Sequence, residues 1–247
     1  MTRFTRTAPF AVLSLVLGLS ATAHADIIVL GQSEAAGITN TIIDDTHISG
    51  ETNYGDSNAV MAGNGRYGLL AFAELFDFLP AVNQDNHALQ INEATLTLIR
   101  YQGDGTEVFV RRMTSNWLPL DAGENESNVT ASLMDISTNT TWADGAISEA
   151  DWTETNQAAT TPGTAYNGAY DWDITDLLAD IYAADANHGF LVRTDAGTGS
   201  FNFRSSEHST ESIRPTLTID YTYLVPEPAS MGLLGAGLGL VLMRRRR

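Results

Sequence analysis

Three acidic side chains between residues 44 and 56 are candidates for binding a metal ion. Asp44 and Asp45 are adjacent, and Asp56 follows after a polar stretch that contains glycine. Their hard oxygens suit Ca²⁺, which takes about six to eight such ligands. The spacing is not that of an EF-hand loop, so a Ca²⁺ site at these three residues is one interpretation among others. A bridging cation would let an acidic protein hold an anionic polysaccharide.

Two further groups could contact a sugar. Asn53 and Tyr54 lie in the same polar loop, where an aromatic ring could stack on a sugar ring; the alternative is that Asn and Gly serve the turn and Tyr fills a gap. Arg66, Arg193 and Arg204 could each donate a fork of hydrogen bonds to the carboxylate of an acidic sugar. The alternative for these arginines is that they balance nearby acidic residues.

The tryptophans are candidates for a binding platform. Trp142 and Trp152 lie in a polar region rich in Ser, Thr, Asn and Asp, so they are the better candidates for stacking on a sugar. Trp172 stands between Asp171 and Asp173 in a strand-like run, and we expect it in the core.

Catalytic patterns are weak, and we expect no enzyme activity. His47, His87, His188 and His208 are scattered without metal-ligand spacing, and the chain has no Gly-x-Ser-x-Gly elbow and no Cys. Lys is also absent, so the charge-neutralising cluster of a polysaccharide lyase is missing. A glycosidase stays open as an alternative, because its paired acids have no fixed spacing in sequence.

The charge of the chain limits its partners. The formal net charge is −17, and Arg3, Arg6 and the last four arginines lie near the ends, so the body is more acidic still. Such a surface repels nucleic acid, whose binding depends on Lys and Arg neutralising phosphates. We therefore expect no nucleic-acid partner.

Strand periodicity dominates the body. In residues 215–223, Leu217, Ile219 and Tyr221 alternate with polar residues, and residues 93–101 alternate in the same way. One short helix is expected over residues 173–184, capped by Thr175. Many short strands, frequent turns and one helix predict an all-β fold, a jelly-roll β-sandwich, over residues 26–224.

The N-terminus has the layout of a signal peptide. Arg3 and Arg6 precede an apolar run over residues 8–21, and Ala23 and Ala25 provide a small-residue cleavage site before Asp26. The apolar run is short for a membrane core of about 30 Å, which argues against a permanent anchor. Residues 1–25 are therefore expected to be removed on export.

The C-terminus combines three features. Val225, Pro226, Glu227 and Pro228 precede an apolar stretch over residues 229–243, and Arg244, Arg245, Arg246 and Arg247 follow. A helix over that stretch would cover only roughly 22 Å, which suits a transient tether in the inner membrane with the arginines on the cytoplasmic side.

This order of features resembles the PEP-CTERM sorting signal of Gram-negative bacteria. The resemblance implies that residues 225–247 are a sorting signal, that the secretion machinery exports the body, and that exosortase removes the tail. It also implies a cell-surface or extracellular protein associated with exopolysaccharide.

A second resemblance covers about residues 42–223. The segments DDTHISGETNYGDSNAVMAGNG, INEATLTLIRY, VFVRRMTSNW and FNFRSSEHSTESIRPTLTIDY occur in the order seen in DNRLRE-type domains. These are jelly-roll modules related to alginate-binding carbohydrate-binding modules, so the resemblance implies an acidic, alginate-like partner. The chain departs from the pattern at Ala71, where the family usually has Arg, and this puts ligand specificity in doubt.

Together these patterns predict an exported, non-catalytic surface or extracellular-matrix protein that associates with extracellular polysaccharide. Two alternatives stay open: a structural matrix protein of a biofilm with no sugar site, and a cryptic polysaccharide-degrading enzyme.

Overall fold

The computed structural model describes residues 21–226, apart from residue 34, residues 80–88, residue 104 and residues 196–198. Within it, Ala23–Leu224 form one compact unit. The strands are β1 (Ala21–Gly31), β2 (Thr39–Asn40), β3 (Ile43–Ser49), β4 (Thr52–Asn53), β5 (Ala59–Gly63), β6 (Arg66–Phe72), β7 (Leu89–Gly103), β8 (Val108–Met113), β9 (Leu133–Asp135), β10 (Thr140–Thr141), β11 (Trp152–Thr160), β12 (Gly168–Asp173), β13 (Phe190–Arg193), β14 (Ser200–Arg204) and β15 (Thr216–Pro226). The helices are α1 (Leu75–Phe78) and α2 (Thr175–Ala184), and a 3₁₀ turn spans Glu211–Ile213.

The main sheet folds into two layers around a shared core. Its strand order is β11-β8-β13-β6-β5-β14-β7-β15-β1-β2, with β3 added on β6 and β12 on β7. Phe72 and Val110 from one half of this order belong to the same buried cluster as Leu96 and Ile219 from the other half. The halves therefore face each other, and the predicted all-β sandwich is confirmed.

The period of two in the sequence sets the pairing of the central strands. β15 and β7 are antiparallel, with Leu217 opposite Leu96 and Ile219 opposite Ala94. All four side chains are fully buried in the main core. The polar residues between them fall on the outer face, as alternation in a strand requires.

The predicted helix is present as α2, but Thr175 does not cap its N-terminus. The Asp173 carboxylate accepts hydrogen bonds from the backbone N–H of Thr175, at 3.1 Å, and from its hydroxyl. The Thr175 hydroxyl in turn accepts a bond from the Ala94 backbone N–H at 2.9 Å. The expectation that Thr175 caps the helix was wrong: Thr175 is the first helical residue, and Ile174 holds the N-cap position without a side-chain hydrogen bond. The Thr175 hydroxyl instead joins the helix to Asp173 and to β7.

A second core lies on the outer face of the half that contains β3, β6 and β13. Leu69 and Ala71 of β6 point there, because they alternate with Leu70 and Phe72 of the main core. Residues 114–151, which connect β8 to β11, cover this face and carry the β9–β10 hairpin. The buried side chains of this layer include Trp117, Val129, Trp142, Ile147 and, from β11, Trp152.

The ends of the described part bear on the predicted processing sites. The cleavage site between Ala25 and Asp26 falls inside β1, where the side chains from Ala23 to Ile27 are exposed. Val225 and Pro226 end β15. The signal-peptide residues 1–20, Glu227, Pro228 and the arginines Arg244 to Arg247 lie outside the described residues. No helix within the described residues has the length and apolar character needed to cross a membrane.

Candidate functional site

The free edge of β3 gathers four carboxylates, which we call the acidic cluster: Asp44, Asp45, Glu126 and Glu207. β3 pairs with β6 on one side, and near its end with the short β4. Asp44 and Asp45 are only 0% and 1% exposed. Glu126 and Glu207 are half-buried and come from two separate loops. Long-range folding, not local sequence, therefore builds this cluster.

Backbone groups hold the two aspartates in place. Asp44 accepts hydrogen bonds from the N–H groups of Gly123, at 3.0 Å, and Asn125, at 3.3 Å. Asp45 accepts one from the Ser206 N–H at 2.7 Å, and its own N–H donates to the Glu126 carboxylate at 3.4 Å. The cluster thus joins β3 to the loop around residue 125 and to the loop after β14.

Three oxygens of the acidic cluster are buried without a hydrogen-bond partner. They are Oδ2 of Asp44, Oδ1 of Asp45 and Oε2 of Glu207. A buried polar atom left unpaired costs roughly 1–3 kcal/mol, and more when it is charged, so such atoms are uncommon and call for a physical reason.

The electrostatics of the cluster favour protonated carboxyls. Burial raises the pKa of Asp44. Burial, followed by the charge of Glu207, raises the pKa of Asp45 well above its usual value. The same two causes raise the pKa of Glu126 to about 8. A nearby positive charge would therefore favour the ionised forms of Asp44, Asp45 and Glu126.

Asp56, the third predicted calcium ligand, does not join the other two. It is exposed and lines a shallow pocket with Asn53, Tyr54, Gly55, Ser57 and Ser127. Within the described part of the chain, no group of three acidic or histidine side chains already has the arrangement of a metal site.

The loop of Asn53 and Tyr54 lies directly over the acidic cluster. A Cβ atom added to Gly55 would stand 2.7 Å from the backbone carbonyl of Glu126, so only glycine allows this approach. Asn53 accepts from the Gly55 N–H and donates to the Val129 carbonyl, both at 2.7 Å. The Asn53 side chain therefore stabilises the turn, which was the alternative to a sugar contact.

The Tyr54 ring is fixed on one face and 42% exposed. It stacks on His47 with 4.3 Å between ring centroids and 6° between ring planes. His47 is buried, and its Nδ1 lies 3.1 Å from the Ala59 carbonyl. Burial lowers the pKa of His47 to about 4, so its ring is neutral at physiological pH.

Arg66 and Arg193 lie together where β6 begins and β13 ends. The Arg193 guanidinium stands 5.3 Å from the centre of the Tyr67 ring and 5.4 Å from that of Trp152. With Asp195, the two arginines line a pocket of about 70 Å³. A cavity of this size holds a few water molecules and no sugar ring. A sugar could meet these arginines only from outside the pocket.

Arg204 supports two exposed tyrosines. It is 8% exposed, donates to the Tyr166 hydroxyl and the Asn167 amide oxygen at 3.0 Å, and lies 4.2 Å from the centre of the Tyr101 ring. Tyr101 and Tyr166 are 38% and 67% exposed and meet edge to face at 5.8 Å. We call these two rings the tyrosine pair. Sequence reasoning missed it, although alternation along β7 places Tyr101 on the outer face.

The expectation of a tryptophan platform was wrong. Trp142 is 1% exposed and donates its ring N–H to the Thr130 carbonyl at 2.8 Å, and Trp152 is 5% exposed beneath Arg193. Both belong to the second core because residues 114–151 need large side chains to seal the outer face of the sheet. Trp172 is fully buried, as predicted.

Comparison with known proteins identifies the C-terminal segment. Residues 224–247 match the PEP-CTERM protein-sorting motif, which confirms the predicted signal. The motif indicates an exported protein of the Gram-negative cell envelope or surface that exosortase processes. No curated protein matches the chain significantly.

Proposed function

We propose that the exported body is a non-catalytic module that associates with extracellular polysaccharide through the tyrosine pair. The observation that carries this proposal is the exposure of two aromatic rings held by a buried arginine. Tyrosine presents an apolar face for the C–H groups of a sugar ring and a hydroxyl for hydrogen bonds.

The support beneath the tyrosine pair favours a binding role over simple surface packing. Arg204 contacts both rings and is itself fixed by Asn167. A preorganised surface loses less side-chain freedom when a ligand binds, which leaves more of the contact energy for affinity. Tyr54, with one face on His47 and substantial exposure, is a second contact of the same kind.

The charge of the chain bears on the kind of polysaccharide. A protein with a formal net charge of −17 repels an acidic chain at low ionic strength. A neutral polysaccharide therefore suits the tyrosine pair directly, whereas an acidic, alginate-like partner needs bridging cations. Retention that depends on added Ca²⁺ would identify the acidic class.

The test is affinity electrophoresis of the purified protein in gels that contain neutral or acidic polysaccharides. We expect retardation by at least one polysaccharide, lost in the double variant Tyr101→Ala, Tyr166→Ala. The double variant Tyr101→Phe, Tyr166→Phe keeps the rings and should retain most of the effect. Ile136→Ala removes an exposed apolar side chain elsewhere and serves as the matched control, since Ile136 is 42% exposed.

Two results would contradict the proposal. Unchanged retardation in the double alanine variant would exclude the tyrosine pair, and no retardation on any polysaccharide would favour a structural matrix protein. Release of new reducing ends from a polysaccharide during incubation would instead support the degrading enzyme.

A further inference from the structure

We propose that the acidic cluster binds one divalent cation, Ca²⁺, at the free edge of β3, with Asp45, Glu126 and Glu207 as its carboxylate ligands. This proposal is independent of the polysaccharide contact. Its tests contain no glycan, so the two proposals fail separately.

The unpaired oxygens are the first argument. Asp45 is 1% exposed, and its Oδ1 has no hydrogen-bond partner although Oδ2 is held by the Ser206 N–H. Oε2 of the neighbouring Glu207 is also buried and unpaired. A cation between Oδ1 of Asp45 and Oε2 of Glu207 would satisfy both atoms at once. No hydrogen-bond donor among the described residues does so.

The absence of positive charge is the second argument. The ion pairs among the described residues connect Arg111 to Glu154 and Asp195, and none reaches the acidic cluster. Ala71 stands opposite Asp44 in the β3–β6 ladder and offers no charge. A bound cation is therefore the compensating charge that the fold itself does not provide.

Asp44 is not one of the three proposed ligands and would act on the cation only through its charge. Successive side chains of a strand point to opposite faces, so Asp44 and Asp45 approach the β3 edge from opposite sides. Asp44 interacts electrostatically with Glu207 and Glu126. Its charge deepens the negative potential at the site without direct coordination.

The proposed ligands must turn to meet a cation, since they do not stand in a metal-site arrangement within the described part of the chain. Glu126 and Glu207 are half-buried and are carried by two loops, so their side chains have room to turn towards Asp45.

Ca²⁺ fits the cluster better than Mg²⁺. Mg²⁺ demands near-ideal octahedral geometry and keeps several waters, whereas Ca²⁺ accepts irregular sets of carboxylate and carbonyl oxygens. The cluster is irregular, since its ligands come from one strand and two loops.

The experiment measures thermal unfolding of the purified protein after chelation, with CaCl₂, with MgCl₂ or with neither. At a hundredfold excess of Ca²⁺ over its dissociation constant, we expect the midpoint to rise by roughly 5–11 °C. MgCl₂ should give a smaller rise. Isothermal titration should show one Ca²⁺ bound per chain.

Matched variants identify the ligands. Asp45→Asn and Glu126→Gln keep side-chain shape and should abolish the Ca²⁺-dependent rise, while Asp56→Asn, which removes an exposed acid from the adjoining loop, should keep it. Each variant is first measured without metal, so a folding defect is visible separately. No Ca²⁺-dependent rise in the unmodified protein, or an undiminished rise in Asp45→Asn and Glu126→Gln, would overturn the proposal.

Discussion

Trp142 offers a sharp test of the buried layer because the sequence and the structure assign it opposite roles. Its indole ring is 1% exposed in the second core, and its N–H donates to the Thr130 carbonyl. Replacing a buried Trp by Ala costs about 3–5 kcal/mol, and losing the hydrogen bond adds about 1 kcal/mol. Trp142→Ala should therefore lose about 4–6 kcal/mol of a total stability on the order of 5–15 kcal/mol.

The measurement is urea unfolding followed by circular dichroism, with thermal midpoints as a second readout. At about 2–4 °C per kcal/mol for a domain of this size, the midpoint should fall by roughly 8–24 °C. Trp142→Phe keeps most of the packing and should cost about 1–2 kcal/mol. Glycan retention, measured well below the midpoint, should be unchanged. A stability loss below about 1 kcal/mol together with lost glycan retention would refute the burial of Trp142.

Three further outcomes follow from single contacts. Gly63→Ala should cost more than about 2 kcal/mol, because its φ is +86° and the new Cβ would clash with the backbone carbonyl of Gly199. Gly65→Ala, with a φ of +76° but open space around the new Cβ, should cost only about 1 kcal/mol, and chemical unfolding distinguishes the two variants. Arg111→Ala should lower the free energy of unfolding by about 2–3 kcal/mol in the same assay. The buried guanidinium donates two parallel hydrogen bonds to the Asp195 carboxylate, at 2.6 and 2.9 Å, and the partial exposure of Asp195 weakens this ion pair. The pKa of His47 is about 4 in the folded protein and 6.5 in the unfolded chain, so the folded state binds fewer protons between these pH values. The free energy of unfolding should therefore fall by about 3 kcal/mol as the pH falls from 6.5 through 4. His47→Gln should lack this loss when unfolding is compared at pH 7 and pH 4, and equal pH dependence in both proteins would contradict the burial of His47.

The elements that the sequence predicted are those whose signal is local. β15 and β7 follow from the alternation of residues such as Leu217 and Leu96, and α2 follows from apolar residues at helical spacing. The cap of α2 was mistaken, because Thr175 is the first helical residue and its hydroxyl bonds to Asp173 and Ala94, a long-range contact that the local sequence does not show.

Only two residues of the acidic cluster could be singled out from the sequence. Asp44 and Asp45 stand out because they are adjacent, but Glu126 lies 81 residues from Asp45, and the Ser206 N–H that holds Asp45 lies 161 residues away. No periodicity connects such positions. Trp142 was mistaken for a surface residue because its neighbours are polar, and the layer that buries it is defined only by long-range packing.

The antiparallel arrangement of β7 and β15 has a mechanical consequence. Tyr101 lies near the C-terminal end of β7, beyond the pairing of Thr97 with Thr216, whereas the sorting tail continues from the far end of β15, past the pairing of Leu89 with Tyr223. If a glycan were held at Tyr101 while the tail was still uncleaved and anchored, a pull between the two would run lengthwise along this ladder. Its hydrogen bonds would then share the load in shear instead of opening one by one.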